Sequence, residues 1–313
     1  MKRLFLASTA LIAVTSVASA AEIKLSGNVT FNYTSVSDSL AYGAGRDGKA
    51  MAVDQEVIVS STATSDSGLT YTASVDTTDN AETAMSISGD FGKVTFDSDG
   101  GGDGDASAMS GDVAADETTG LAATSGLGAA VFDGDEAVAG GILSYSSPSI
   151  SGANIYLGYT DDNAENENTT TAYGIKYTTD AAGAKVTLGY AASSADGGVD
   201  ATSLGAKIAS GDLALTIAAN TADHTDDATE DYEGMSIGLT YSVSSNLAIQ
   251  MHAKSAENSK DSDYDYSENA FSATYTIAPG LTSAITYTTY DYTNNAGTKQ
   301  DGSATNVEMK VAF

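Results

Sequence analysis

The side chains of this 313-residue chain that could do chemistry are above all carboxylates: 42 Asp and Glu stand against 13 Lys and Arg, two His and no Cys. Without cysteine there is no disulfide framework, no thiolate metal site and no thiol nucleophile. His224 and His252 lie too far apart in sequence for the paired histidines of a helical zinc site. A hydrolase would need serine, base and orienting group together. His224 falls in an acidic connection and His252 alternates with Gln250 and Lys254, so neither has an obvious nucleophile partner. Gly43-Ala-Gly-Arg-Asp-Gly48 matches a dinucleotide-binding spacing, but a strand pattern follows it instead of the helix that chemistry requires. Gly101-Gly-Asp-Gly-Asp-Ala106 nearly matches a calcium-binding nonapeptide, but Ala106 takes the Asp position and no repeat array exists. Asp261-Ser-Asp-Tyr-Asp265 opens like an EF-hand loop, yet Tyr266 and Ser272 stand where Gly and a bidentate Glu belong. Such clusters are solvated loop charges that at most hold Ca²⁺ or Mg²⁺ weakly. Neither catalysis nor a resident cofactor is expected. A formal charge of −29 also excludes nucleic acid, whose phosphates are bound by Lys and Arg.

The charges must be carried by something, and the first twenty residues are not part of it. Lys2 and Arg3 precede a mostly apolar run from Leu4 to Val17, and Ala18-Ser19-Ala20 supplies a small-x-small cleavage pattern. The run is shorter than the ~20 residues a spanning helix needs. Residues 1–20 therefore read as a cleaved secretory signal peptide and 21–313 as the mature chain. Losing Lys2 and Arg3 with no acid takes the charge from −29 to −31.

Beyond the leader the apolar period is two. Ile23, Leu25, Val29, Phe31 and Tyr33 alternate with Lys24, Ser26, Asn28, Thr30 and Asn32, which is a strand with one apolar face. Val307, Met309, Val311 and Phe313 repeat the pattern at the other end. About sixteen such segments begin near residues 22, 50, 69, 82, 92, 139, 152, 170, 184, 200, 212, 233, 246, 269, 280 and 303. Short connections rich in Gly, Ser, Asn and Pro alternate with mostly longer, acidic ones at 161–169, 221–232, 255–268 and 291–302. That is an up-and-down meander, with turns at one end and loops at the other.

A water-soluble sandwich is the usual home of such strands. Here the second face is Thr, Ser, Gly, Asn and a few Lys, which suits a wetted lumen. Tyr71, Tyr145, Tyr177, Tyr241, Tyr275 and Phe313 fall near the turn end of the apolar phase, and Tyr33, Tyr159, Tyr190 and Tyr287 near the loop end. Two aromatic bands around an aliphatic belt are what the two bilayer interfaces select. An even strand count lets first and last strands pair, removing the edge that a bilayer does not tolerate. The expected fold is all-β, a transmembrane antiparallel up-and-down β-barrel of about sixteen strands over residues 21–313.

Ala21-Glu-Ile-Lys-Leu-Ser-Gly27, Ser65-Asp-Ser-Gly-Leu69, Ser88-Gly-Asp-Phe-Gly-Lys-Val-Thr-Phe96 and the terminal Val307-Glu-Met-Lys-Val-Ala-Phe313 resemble the trimeric general porins of Gram-negative bacteria, the alphaproteobacterial, Rhodobacter-type members most. The resemblance implies an outer-membrane channel for passive diffusion of small hydrophilic solutes, assembled as a homotrimer among outer-membrane lipids and lipopolysaccharide. It implies that Phe313 is read by the outer-membrane assembly machinery. It implies also that the third loop, here about 98–139, folds inward and narrows the pore. That loop carries Asp103, Asp105, Asp112, Asp116, Glu117, Asp133, Asp135 and Glu136, and no base.

The family's opposing wall of arginines has no counterpart, because Arg46 in the first long connection is the one arginine after the leader. Asp54 and Glu56 point to the lumen. So do Lys24, Lys93, Lys176, Lys185, Lys207, Lys254 and Lys310, all but Lys254 toward the turn end. Such a pore should prefer cations. A non-transporting acidic surface barrel and a secreted soluble β-protein are the alternatives.

Overall fold

The computed structural model describes residues 21–38, 48–77, 83–98, 142–161, 169–196, 198–224, 231–258, 265–293 and 299–313. They form sixteen strands: β1 (Glu22–Asp38), β2 (Gly48–Thr64), β3 (Thr70–Asp76), β4 (Thr83–Gly89), β5 (Gly92–Asp97), β6 (Leu143–Ser146), β7 (Ala153–Asp161) and β8 (Thr169–Ala181), then β9 (Ala184–Ala195), β10 (Val199–Ser210), β11 (Leu213–His224), β12 (Tyr232–Ser244), β13 (Leu247–Asn258), β14 (Asp265–Ala278), β15 (Leu281–Thr293) and β16 (Lys299–Ala312). Each strand pairs antiparallel with its neighbours in chain order, and β1 pairs with β16 to close the barrel. The seam runs from Asn28 opposite Ala312 to Asp38 opposite Gly302. Gly27 and Phe313 extend it by exchanging two backbone hydrogen bonds of 3.0 Å. Closure leaves no open sheet edge to desolvate.

The distribution of residues is inverted relative to a soluble protein. The large apolar side chains are the exposed ones, among them Ile23, Leu25, Met51, Val53, Leu204 and Met235. The alternate phase faces the concave interior and is small or polar; Ala191, Ser203, Ala218 and Thr288 are buried there. A soluble sandwich would bury the first set against a second sheet. With a single closed sheet, that face meets lipid instead.

Tight turns close one end of the wall. Between β2 and β3 the Ser65 amide donates to the Leu69 carbonyl at 2.8 Å and Gly68 donates to Ser65 at 2.9 Å. Between β8 and β9, Ala182 and Gly183 both take positive φ, 52° and 82°, the geometry of a two-residue hairpin that matches strand twist.

At the other end the strands run further than their apolar residues. The connection expected over 255–268 is shorter, because β13 continues to Asn258 and β14 starts at Asp265; likewise β11 reaches His224 and β16 starts at Lys299. Backbone pairing does not need apolar side chains, so polar strand ends extend past the lipid-facing belt. The wall is uneven in height: β8 to β16 have 12–14 residues, but β5 and β6 have 6 and 4. The longest connection leaves and returns at this low side, and its residues 99–141 lie outside the described ones.

Candidate functional site

The inner face carries its charge in three places. The first is the wall from β1 to β5. Asp54 and Glu56 stand on the inner phase of β2, where Asn32 Nδ2 donates to Asp54 Oδ2 at 3.2 Å and Asn28 Nδ2 to Glu56 Oε2 at 2.5 Å. The amide partners come from β1 because Asn28 lies directly opposite Glu56 and Asn32 is one register step from Asp54. Asp76, ending β3, and Asp97, ending β5, join Glu56 around one hollow of about 160 Å³. A neighbouring hollow of about 270 Å³ is lined by both Lys93 and Asp97, so the carboxylates have a base at their flank.

The second is a set of lysines near the turns. Lys24, Lys176, Lys185, Lys207 and Lys310 all lie on the inner phase, and Lys207 faces Thr187 across the β9–β10 pair. Lys24, Lys185, Lys207 and Lys310 are exposed; Lys93 and Lys176 are half-buried. Long stems with their heads in water are what lysines at a wet rim adopt.

The third is a buried network at the loop end of β13 and β14. Glu268 is 1% exposed. Its Oε1 meets His252 Nε2 at 2.8 Å and Lys254 Nζ at 3.9 Å, while Tyr266 donates its hydroxyl to Oε2 at 2.5 Å. The register explains the cluster: Lys254 lies opposite Glu268, His252 one step toward the turns, and Tyr290 of β15 on the other flank. Tyr290 lies flat across the inner face, over Gly302 of β16. A Cβ at Gly302 would stand 2.6 Å from the Tyr290 ring, so only glycine leaves it that space. Tyr156 on β7 is likewise inward and buried.

Asp103, Asp105, Asp112, Asp116, Glu117, Asp133, Asp135, Glu136 and Arg46 lie outside the described residues, as does the leader. Among the described residues, no three His, Asp or Glu side chains come together as a metal-binding group. Phe313 ends the seam at the turn-side rim with its ring exposed outward.

The family model for Gram-negative porins matches residues 7–297. This chain is a Gram-negative porin. Among solved structures, the barrel resembles a porin refined at 1.8 Å resolution, with TM-score 0.69 and 17% identity over 93% of this chain and 100% of that one. It also resembles a doubly substituted porin of Rh. blastica (TM-score 0.64, 15% identity, 93% and 100% covered) and OmpT, an outer membrane protein of Vibrio cholerae (TM-score 0.65, 11% identity, 94% and 98% covered). No curated sequence matches it. At these identities the likeness to solved structures is one of fold. The porin is therefore an outer-membrane channel and not an enzyme.

Two parts of this porin's wall escape a reading by apolar alternation. Asp97 was legible from the phase of Lys93, Thr95 and Asp97, but that strand is too short to draw attention beyond its apolar residues. Glu268 and Tyr266 fall in a stretch that looks like acidic loop, because no large apolar residue alternates with them until Phe271. The inner alternation Tyr266, Glu268, Ala270 was the available signal.

Proposed function

We propose that this porin is a cation-preferring diffusion channel, exported by a signal peptide cleaved after Ala20, with its loops outside and its turns in the periplasm. It works as a homotrimer; one of the similar structures is a trimer form of Vibrio cholerae OmpT. The observation that carries the charge preference is the convergence of Glu56, Asp76 and Asp97 on one hollow of the inner wall, with Asp54 exposed beside it. A narrow passage with low-dielectric walls focuses such a field and enriches counter-ions. The carboxylates of the third loop add to it as constriction residues, and the turn-side lysines act in the exit vestibule. Crowded carboxylates also bind Ca²⁺ or Mg²⁺ weakly through oxygen.

The test is the reversal potential across a KCl gradient in planar bilayers. The wild type should show cation preference, shrinking as the Debye length falls from ~30 Å at 0.01 M to ~3 Å at 1 M salt. Asp54→Asn with Glu56→Gln should move the potential toward zero. Neutralising Asp103, Asp105, Asp112, Asp116 and Glu117 should move it further. An anion-selective wild type overturns the reading, and an unmoved potential in the loop variant removes the loop from the constriction.

A further inference from the structure

The inner charges are sorted along the barrel axis. Lys24, Lys185, Lys207 and Lys310 stand within three residues of the turn-side ends of their strands, and Lys176 within five. Asp54 and Glu56 stand ten and eight residues from the turn end of β2, and Asp76 six from that of β3. At ~3.3 Å a residue along tilted strands, on the order of 10 Å of axial distance separates the two zones. Lys93 and Asp97 share one hollow, and Lys254 and Glu268 are buried together, so these two pairs leave the sorting unchanged.

Both zones keep their charge. Among the described residues, no carboxylate stands within ion-pair distance of Lys24, Lys176, Lys185, Lys207 or Lys310. Glu22, Asp180 and Glu308 share this end on the inner phase, Asp180 directly opposite Lys185, and the five ammoniums outnumber them. Asp66, Asp90 and Asp212 lie in the turns, beyond the strand ends, where bulk water screens them. In the upper zone Asp54 and Glu56 are met by the neutral amides of Asn32 and Asn28. An acidic passage concentrates cations and a basic one concentrates anions. With the loop side positive, cations enter through the acidic zone and anions through the lysine zone, and both gather between them. With the turn side positive, both leave that middle stretch faster than they are replaced, and its conductance falls.

We propose that this porin rectifies, passing more current with its loop side positive than with its turn side positive. The five lysines form an anion-concentrating collar at the periplasmic mouth, in series with the cation-concentrating wall above it. Such rectification rests on the open, cation-preferring channel proposed above, with its loops outside. It also needs the field to reach the lumen axis, so it belongs to salt at which the Debye length is ~10 Å, near 0.1 M, and not to 1 M, where it is ~3 Å.

Current through single insertions in planar bilayers, with equal KCl on both sides, tests it. Ser67→Cys in the β2–β3 turn, in a chain with no other cysteine, reports orientation. A maleimide-linked polymer too large to pass lowers the current only when added to the chamber that the turns face. Currents at equal and opposite voltages should differ about twofold at 0.1 M KCl and become equal at 1 M. Lys24→Gln, Lys176→Gln, Lys185→Gln, Lys207→Gln and Lys310→Gln together, all at exposed or half-buried positions, should bring the ratio to parity in a channel that still conducts. Heat-modifiable mobility reports whether that variant closes its barrel. Lys185→Gln with Lys207→Gln alone, on neighbouring strands of the exposed rim, should lower the ratio part-way and serves if the fivefold variant does not fold. Equal currents in the wild type at 0.1 M, a larger current with the turn side positive, or an undiminished ratio in a folded lysine variant overturns the proposal. The reversal potential of the same channels reads the charge preference separately. Cation preference without rectification removes only the collar; rectification with anion preference removes only the cation-preferring reading.

Discussion

Glu268→Ala should destabilise the folded barrel by about 3–5 kcal/mol, the usual cost of removing one partner from a buried ion pair. The carboxylate is 1% exposed, is hydrogen-bonded to His252 and Tyr266, and faces the Lys254 ammonium at 3.9 Å. Its removal takes the Glu268 charge away from the ammonium of Lys254, itself 4% exposed. Buried polar atoms that lose a partner cost more than the partner's net contribution when present, which is why the effect is large. Urea unfolding of the barrel reconstituted in vesicles measures it, with heat-modifiable mobility reporting closure. Glu268→Gln keeps two acceptor or donor positions but no charge, and should fall between alanine and wild type. Lys254→Met in the Glu268→Ala background should recover part of the loss, because the buried ammonium that faced Glu268 is removed as well. A loss below about 1 kcal/mol for Glu268→Ala, or no recovery in the double variant, would mean the cluster behaves as exposed charges do.

Removing Phe313 should abolish most outer-membrane assembly, leaving periplasmic aggregates. Two structural features meet at this residue. Its backbone exchanges two 3.0 Å hydrogen bonds with Gly27 and so extends the seam. Its ring, 60% exposed on the outward phase at the turn-side rim, is free to be read by an assembly factor. Phe313→Ala separates the two, since it keeps the backbone pair and deletes the ring. If the ring is the recognised feature, both variants are lost from the surface alike. If only the deletion fails, the terminal residue matters through seam closure. Normal surface levels of both, measured by protease accessibility of intact cells, would make the terminal aromatic incidental.

The strand count and topology were legible because a lipid-facing barrel writes its period plainly: every second residue meets hydrocarbon. Ile23 to Tyr33 and Val307 to Phe313 announce the two seam strands, and the structure pairs them over eleven registered residues. Legibility failed where that solvent ends. Above the belt, Asp265 to Glu268 and Asn258 continue their strands in register with their neighbours, and no apolar alternation marks them. His224 looked like loop for the same reason, though it closes β11 and its amide donates to Asp231 Oδ1 at 2.8 Å.

Phase follows from sequence, because side chains of a strand alternate whatever the strand pairs with. It already set which face of this porin is apolar and which of Asp54, Glu56 and the lysines point inward. Register does not follow from it. Whether Glu268 stands beside Lys254, whether Tyr290 lies over Gly302, and whether Glu56, Asp76 and Asp97 share a hollow depend on how far each strand slides against its neighbour. Turn lengths and closure of the sheet set those offsets jointly, so neighbours across the wall are fixed only when the whole barrel closes.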